Sequence, residues 1–253
     1  MALLLFDMDG TLTPARRSMS WEMAMTLCNL SFKDKIGIVS GSGLKYIEEQ
    51  TVQLKEVFRS NPTNFFIMPC NGTKLYQYRE NWKLNFISEV QMKDEMSDSE
   101  YSQLVSHLMK LTIEVLEQTN IDPTGTFIQY RGSMVNWCPI GRDSSFAQRQ
   151  TFEEFDKRED IRGALRKKLL DHIDSKLEVV LGGSTSLDIY PKGWDKTYAL
   201  RHFPNEKDVY FVGDKCKAPG NDASIFDACA PRSFETTGPE ETLQIIKNNF
   251  ARP

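Results

Sequence analysis

Residues Ala2-Leu-Leu-Leu-Phe6 form an unbroken apolar run, and Asp7-Met-Asp-Gly-Thr-Leu-Thr13 follows it directly. Strands with one wet face alternate apolar and polar residues. A continuous run marks a strand buried on both faces, as in parallel sheets covered by helices. Parallel neighbours need crossover connections, so this segment commits the surrounding chain to an α/β arrangement. Lys35-Ile-Gly-Ile-Val39, Phe65-Phe-Ile-Met68 and Val209-Tyr-Phe-Val212 repeat the pattern. Helical periodicity over 20–30 and 44–58 separates the first three runs, which predicts a parallel sheet.

The pattern changes after residue 72. Segments 73–78 and 82–87 flank Arg79-Glu-Asn81 and read as a hairpin. Ser97-x-x-Glu100 is a capping box that opens a helix to about 118. Strands are expected at 126–131 and 134–138, joined at Gly132-Ser133. Ser145-x-x-Gln148 caps a second long helix, with a break near Asp160. Further strands at 177–181 and 186–190 flank Gly182-Gly-Ser-Thr185. Hairpins with two long helices predict an inserted α+β cap with an antiparallel sheet at 84–192. The α/β core takes 1–83 and 193–253. Its second part holds a short helix at 195–202, with Asp195 read as its cap, then the strand at 209–212 ending in Gly213-Asp214. A last helix begins at Gly238-Pro-Glu-Glu241, where Pro and acids suit a first turn.

Composition narrows the function. The chain has 253 residues, 40% apolar and 26% charged, the balance of a globular protein. A net charge of −4 argues against nucleic-acid or anionic-membrane partners, so any anion must be held by a local basic site. No apolar run approaches the roughly 18 residues that span a bilayer, and the first residues are too short a run for a signal peptide. Cys28, Cys70, Cys138, Cys216 and Cys229 are odd in number and lack CxxC spacing. That argues against a disulfide framework or a zinc site and for reduced thiols in the cytoplasm. His107, His172 and His202 match no site and read as surface or packing residues.

Asp7 and Asp9 stand at i and i+2 just past a buried strand, at the edge where parallel sheets bind ligands. Asp214 stands in the same relation to the strand at 209–212, with Pro219-Gly-Asn-Asp222 close behind. Asp and Gly after a strand are also common turn residues. The pattern at both ends of the chain is what argues for a site. Carboxylates that converge on one sheet edge repel unless a cation neutralises them, and a hard, oxygen-preferring ion such as Mg²⁺ suits them.

The first motif resembles that of the haloacid-dehalogenase-like (HAD) phosphotransferases. The rest resembles one branch of them, the eukaryotic-type phosphomannomutases, nearly throughout. The segments concerned are Gly125-Thr-Phe-Ile-Gln-Tyr-Arg131, Asn136-Trp-Cys-Pro-Ile-Gly-Arg142, Gly182-Gly-Ser-Thr-Ser-Leu-Asp-Ile-Tyr-Pro191, Gly193-Trp-Asp-Lys196 and Gly213-Asp-Lys215. The resemblance implies a HAD-like Rossmannoid core with a cap. Asp7 is then the nucleophile that becomes an aspartyl phosphate, and Asp9 the general acid/base. Mg²⁺ falls to Asp7, the Asp9 backbone carbonyl, Asp214 and Asp222. Lys196 is the cation beside the phosphoaspartate, and Ser40 or Ser42 binds the transferring phosphate. Arg131, Arg142 and Arg149 of the cap, with Arg16 of the core, hold the sugar's distal phosphate, and Ser186 and Asp188 contact the sugar. Arg suits phosphate because its planar fork binds two oxygens.

The family isomerises mannose 6-phosphate and mannose 1-phosphate, commonly the glucose pair too. It is activated by a hexose 1,6-bisphosphate and dimerises through its caps. This chain departs from the family's usual residues at Ser40 (usually Gly), Cys70 and Gln129 (usually Glu) and Ser184 (usually Gln). Ala228 replaces a usual acid near Phe226, whose backbone oxygen binds a second cation in relatives. The catalytic set is intact. The competing readings are a HAD-type sugar-phosphate phosphatase and a non-catalytic sugar-phosphate binder. The three cap arginines argue against the first, and Asp7 with Asp9 against the second.

Overall fold

The computed structural model describes residues 1–57, 64–79 and 83–250. The chain forms two compact units. Met1–Glu89 with Gly193–Pro253 makes the first, and Val90–Lys192 the second.

The first unit is built on a seven-stranded sheet. In spatial order its strands are β11 (Ser233–Glu235), β10 (Val209–Gly213), β1 (Leu3–Phe6), β2 (Lys35–Val39), β3 (Phe65–Met68), β4 (Lys74–Tyr78) and β5 (Leu84–Glu89). The five from β11 to β3 run parallel, and β4 and β5 are antiparallel additions at one edge. The continuous apolar run of β1 is explained by its central place. Leu4 and Phe6 pack with Met23, Leu27 and Ile246. Leu3 and Leu5 pack with Phe211, Ala199 and Ile225. Each such side chain removed from water contributes about 1.5–3 kcal/mol.

The helices largely follow the expected spans. α1 (Trp21–Ser31) opens at Ser20, whose hydroxyl accepts the Met23 N–H. The span expected at 44–58 is two pieces, α2 (Leu44–Gln50) and α3 (Val52–Val57). Thr51 breaks it, at φ −106° and ψ 20°, with its hydroxyl donating back to the Ile47 carbonyl. Phe58, the end of that expected helix, lies outside the described residues, as do Glu80 to Trp82 of the hairpin turn. The boundary expected at 84 falls instead at 90, because Leu84 to Glu89 pair with β4 and so belong to the first sheet. Two short elements have no counterpart in the sequence analysis, α7 (Ala223–Cys229) and β11. The chain closes with α8 (Pro239–Asn249).

The second unit has a four-stranded antiparallel sheet in the order β6 (Ile128–Tyr130), β7 (Val135–Trp137), β9 (Ser186–Pro191), β8 (Leu177–Gly182). Its helices are α4 (Asp98–Thr119), α5 (Phe146–Glu159) and α6 (Ile161–Leu170). Capping boxes open α4 at Ser97 and α5 at Ser145, and Asp160 at φ +50° separates α5 from α6. Trp137 is fully buried and donates its indole N–H to the Thr112 hydroxyl at 2.9 Å, which ties α4 to β7. Among the described residues no helix is long and apolar enough to cross a membrane.

A turn at Cys70–Gly72 and a 3₁₀ segment at Lys196–His202 pack together in the first unit. Gly72 has φ +85°, and a Cβ there would lie 2.7 Å from the backbone N and Cα of Ala199. Its carbonyl accepts the His202 Nε2–H at 2.6 Å, so His202 is a packing residue. Gly72→Ala is therefore expected to lower stability by about 2–4 kcal/mol through strain and a backbone clash. Urea denaturation reads this as an earlier midpoint, and an unchanged midpoint would contradict the packing described.

Candidate active site

The strands β10, β1 and β2 are adjacent and parallel, so their carboxyl ends share one edge. Asp214, Asp7 and Ser40 follow those ends in turn. The Asp7 N–H donates to the Val212 carbonyl at 2.9 Å, which extends the β1–β10 ladder by one residue and fixes the Asp7 backbone. Met8 turns into the core, and its carbonyl accepts the N–H groups of Thr11, Leu12 and Thr13. This tight loop needs Gly10, which sits at φ +88°. A Cβ there would lie 2.4 Å from an Asp214 carboxylate oxygen.

Lys196 is wholly buried and donates from Nζ to both Asp7 Oδ1 and Asp222 Oδ1. The second Asp222 oxygen accepts the Lys215 N–H at 3.1 Å. One carboxylate oxygen from each of Asp7, Asp214 and Asp222 lies within 4.8 Å of the others. With all three carboxylates ionised, their one ammonium leaves an excess of negative charge that a divalent cation would offset. The donors are all oxygens, as a hard ion prefers. The electrostatics agree. Burial pushes the Asp7 carboxyl up to about 7, with Lys196 opposing and Asp222 and Asp214 adding to the rise. Burial raises Asp214 as well, and Asp222 adds to it. Burial pulls the Lys196 ammonium down, but Asp222 and Asp7 outweigh it and hold it above the ordinary lysine range. The donor set thus fits a hard divalent ion such as Mg²⁺, which the Asp7, Asp214 and Asp222 carboxylates could hold.

The Asp9 carboxylate is not part of that cluster. Its Oδ1 accepts the Tyr46 hydroxyl at 2.9 Å and the Arg16 backbone N–H at 3.0 Å. Any part Asp9 takes in holding the ion is left to its backbone carbonyl. Burial, with the Asp9 charge, pushes the Tyr46 hydroxyl well above the usual tyrosine range, so it remains a donor at neutral pH. The Arg16 side chain is exposed. Ser40 is buried, its hydroxyl accepting the Ser42 N–H at 3.1 Å. The Asn71 and Cys70 N–H groups donate to the Ser40 and Ser42 carbonyls and hold this loop. Asp195 caps the 3₁₀ segment that carries Lys196, accepting the Thr197 N–H at 2.8 Å. Next to Asp214 is a recess of about 420 Å³ lined by Lys217, Glu235, Thr236, Thr237 and Glu241.

In the second unit, β7 and β9 place Asn136 directly opposite Asp188. Asn136 donates to Asp188 Oδ1 and accepts from Arg142 Nη1, each at 2.6 Å. Ser186 donates to the Gly182 carbonyl at 2.8 Å. Arg131, just past β6, donates from Nε to Gln129 Oε1 at 3.2 Å. Arg149 is 6% exposed and donates to the Ser144 carbonyl, the Thr185 hydroxyl and the Arg142 carbonyl. It therefore braces the loop that carries Arg142, rather than presenting its guanidinium to a phosphate as the resemblance implies. A separate recess in this unit, lined by His107, Lys110 and His172, contains none of the expected site residues. His107 and His172 stack there at 4.5 Å.

Sequence reasoning missed Tyr46, Asn136 and Thr185. Asn136 stands inside a segment already singled out, six residues before Arg142, and period-2 alternation puts it on the Asp188 face. Tyr46 gave no signal, since its partner comes from another strand's loop.

The sequence model of the family described as "Eukaryotic phosphomannomutase" matches residues 23–252. The chain is 36% identical to the phosphomannomutase of Schizosaccharomyces pombe, over 98% of this chain and 94% of that one. It is 34% identical to that of Saccharomyces cerevisiae with the same coverage. Phosphomannomutase 2 of Dictyostelium discoideum is 35% identical over 98% of this chain and 96% of its own. Among solved structures, Plasmodium falciparum IMP-nucleotidase aligns with a TM-score of 0.69 at 17% identity, over 98% of this chain and 69% of that one. The C-terminal domain of C. albicans trehalose-6-phosphate phosphatase aligns at 0.58 and 16%, over 97% and 91%. At those identities the likeness is one of fold, the HAD-like α/β core with a second α+β unit. With a match along nearly its whole length and the carboxylate cluster at the sheet edge, the chain belongs to the eukaryotic phosphomannomutase family.

Proposed function

We propose that this protein is a phosphomannomutase that interconverts mannose 6-phosphate and mannose 1-phosphate, acting on the glucose pair as well. One observation carries the reading: a buried Asp7–Lys196–Asp222 network beside Asp214, at the sheet edge of a chain a third identical to phosphomannomutases. A bound Mg²⁺ would supply charge neutralisation for the carboxylates and the incoming phosphate. Asp7 attacks the phosphorus of a hexose 1,6-bisphosphate, which serves as activator and intermediate, and becomes an aspartyl phosphate. Asp9 gives its proton to the departing sugar oxygen and takes it back from the attacking hydroxyl in the reverse half. Lys196 keeps its contact with Asp7 and offsets the charge that builds on the phosphoryl oxygens. Ser40 and Ser42 orient the phosphoryl group, and Arg16 binds the phosphate that is not transferred. In the second unit Arg131 and Arg142 are phosphate-binding residues, Arg149 holds the Arg142 loop in place, and Ser186 and Asp188 bind the sugar.

A mutase must return the phosphoryl group to sugar rather than to water. The arginines are the device for this, because they retain a bisphosphate that a phosphatase would release. The same reading makes the protein a cytoplasmic enzyme of mannose activation toward GDP-mannose and a homodimer through its cap. Its five cysteines, all buried thiols, suit a reducing compartment.

With mannose 1-phosphate, Mg²⁺ and catalytic glucose 1,6-bisphosphate, the expected product is mannose 6-phosphate, read by a coupled reductase assay. Asp7→Asn and Asp9→Asn are each expected to cut kcat by at least about 10²-fold with the fold retained. Free phosphate as the dominant product would instead favour the sugar-phosphate phosphatase reading.

Metal binding is also measurable through stability. A ligand at about 100 times its Kd stabilises by about 2.7 kcal/mol. Mg²⁺ is expected to raise the melting midpoint of the metal-free protein by several degrees, and Asp214→Asn to abolish the rise. An equal rise in Asp214→Asn would remove Asp214 from the ligand set.

A further inference from the structure

Tyr46 lies in the first turn of α2, with its ring against the core of the first unit. Its hydroxyl donates to Asp9 Oδ1 at 2.9 Å. The Arg16 N–H donates to the same oxygen at 3.0 Å, from a residue held at φ +61°. Neither donor engages Oδ2. Gln50, one turn further along α2, is buried and accepts from the Thr13 hydroxyl at 3.1 Å, so the helix is also tied to the end of the Asp7–Thr13 loop.

We propose that Tyr46 is a positioning residue that assigns the two oxygens of Asp9 different tasks, Oδ1 as an anchored acceptor and Oδ2 as the site of the exchangeable proton. The inference rests on the reading of Asp9 as general acid/base. Two hydrogens already point at Oδ1, so a proton placed there would meet both of them. On Oδ2 it meets neither. In the forward half-reaction the bond from phosphorus to the sugar oxygen breaks and its electron pair stays on that oxygen. The oxygen takes the Oδ2 proton while Asp7 gains the phosphoryl group. In the reverse half the attacking hydroxyl gives its proton to Oδ2 and Asp7 is freed. Without the Tyr46 hydroxyl the carboxylate can rotate about its Cβ–Cγ bond, and the proton is lost from its productive place. The Tyr46 hydroxyl is engaged with Asp9 and is assigned no contact with the sugar phosphate, so the loss falls on the chemical step.

Tyr46→Phe keeps the ring and removes only the donor. It is expected to lower mutase kcat about tenfold, with KM within twofold of the parent and the melting midpoint unchanged. The deciding comparison is the rate of phosphoenzyme formation from two donors. Glucose 1,6-bisphosphate has a leaving oxygen that needs a proton; acetyl phosphate has one that does not. Tyr46→Phe should slow the first and leave the second unchanged. Asp9→Asn should show the same split, more strongly. Equal slowing with both donors, or no slowing with either, would overturn the role given to Tyr46. If Asp9→Asn itself showed no split, the acid/base reading of Asp9 would fall, and the proposal with it.

Discussion

A single buried ammonium organises this protein's chemistry. Lys196 has no exposed surface and touches Asp7 and Asp222 at once. Carboxylates taken out of water repel one another and lose hydration, each effect costing several kcal/mol in a poorly solvated site. Removing one partner of such a pair usually costs about 3–5 kcal/mol. One ammonium cannot balance three ionised carboxylates, and a cluster of that kind suits a divalent ion. The fold is arranged to create this shortfall. β1 supplies Asp7, β10 leads into Asp214, the turn before α7 supplies Asp222, and a capped 3₁₀ segment supplies Lys196.

The division of labour between the units follows from their sheets. A parallel sheet gathers strand ends, and with them loops, at one edge, which suits a site that must bring several charges together. An antiparallel sheet instead sets residues opposite each other along its face. Asn136 and Asp188 are such a pair, and Arg142 joins them through Asn136. Donors held in this way by neighbouring side chains are fixed in direction before any ligand arrives. Arg149 shows how deep that support goes, since its guanidinium is spent on two loop carbonyls and a hydroxyl.

Much of this was legible from the residues. The apolar runs fix β1, β2, β3 and β10, because only a doubly buried strand tolerates such continuity. The Ser97 and Ser145 boxes fix where α4 and α5 begin, since their partners are three residues away. Elements whose reasons are nonlocal were harder to read. α7 and β11 are short and lean on β10 rather than on their own pattern. The break at Thr51 comes from a threonine hydroxyl that competes for a helix carbonyl, a choice open to any buried threonine. The break between the two units lies at 90 rather than 84 because Leu84 to Glu89 take a partner in the first sheet. In the site, the carboxylates announce themselves at strand ends, whereas Tyr46 looks like any aromatic on an amphipathic helix until the Asp7–Thr13 loop is placed beside it.

In the proposed reaction Asp7 carries the phosphoryl group between the two positions of the sugar. Brief incubation with Mg²⁺ and hexose 1,6-bisphosphate labelled with ³²P, followed by an acid quench, tests it directly. Label that is released by hydroxylamine, and that maps to Asp7 after borohydride reduction and peptide mass spectrometry, is the expected result. Turnover with no label on the protein, or label on a serine that is stable to hydroxylamine, would contradict it.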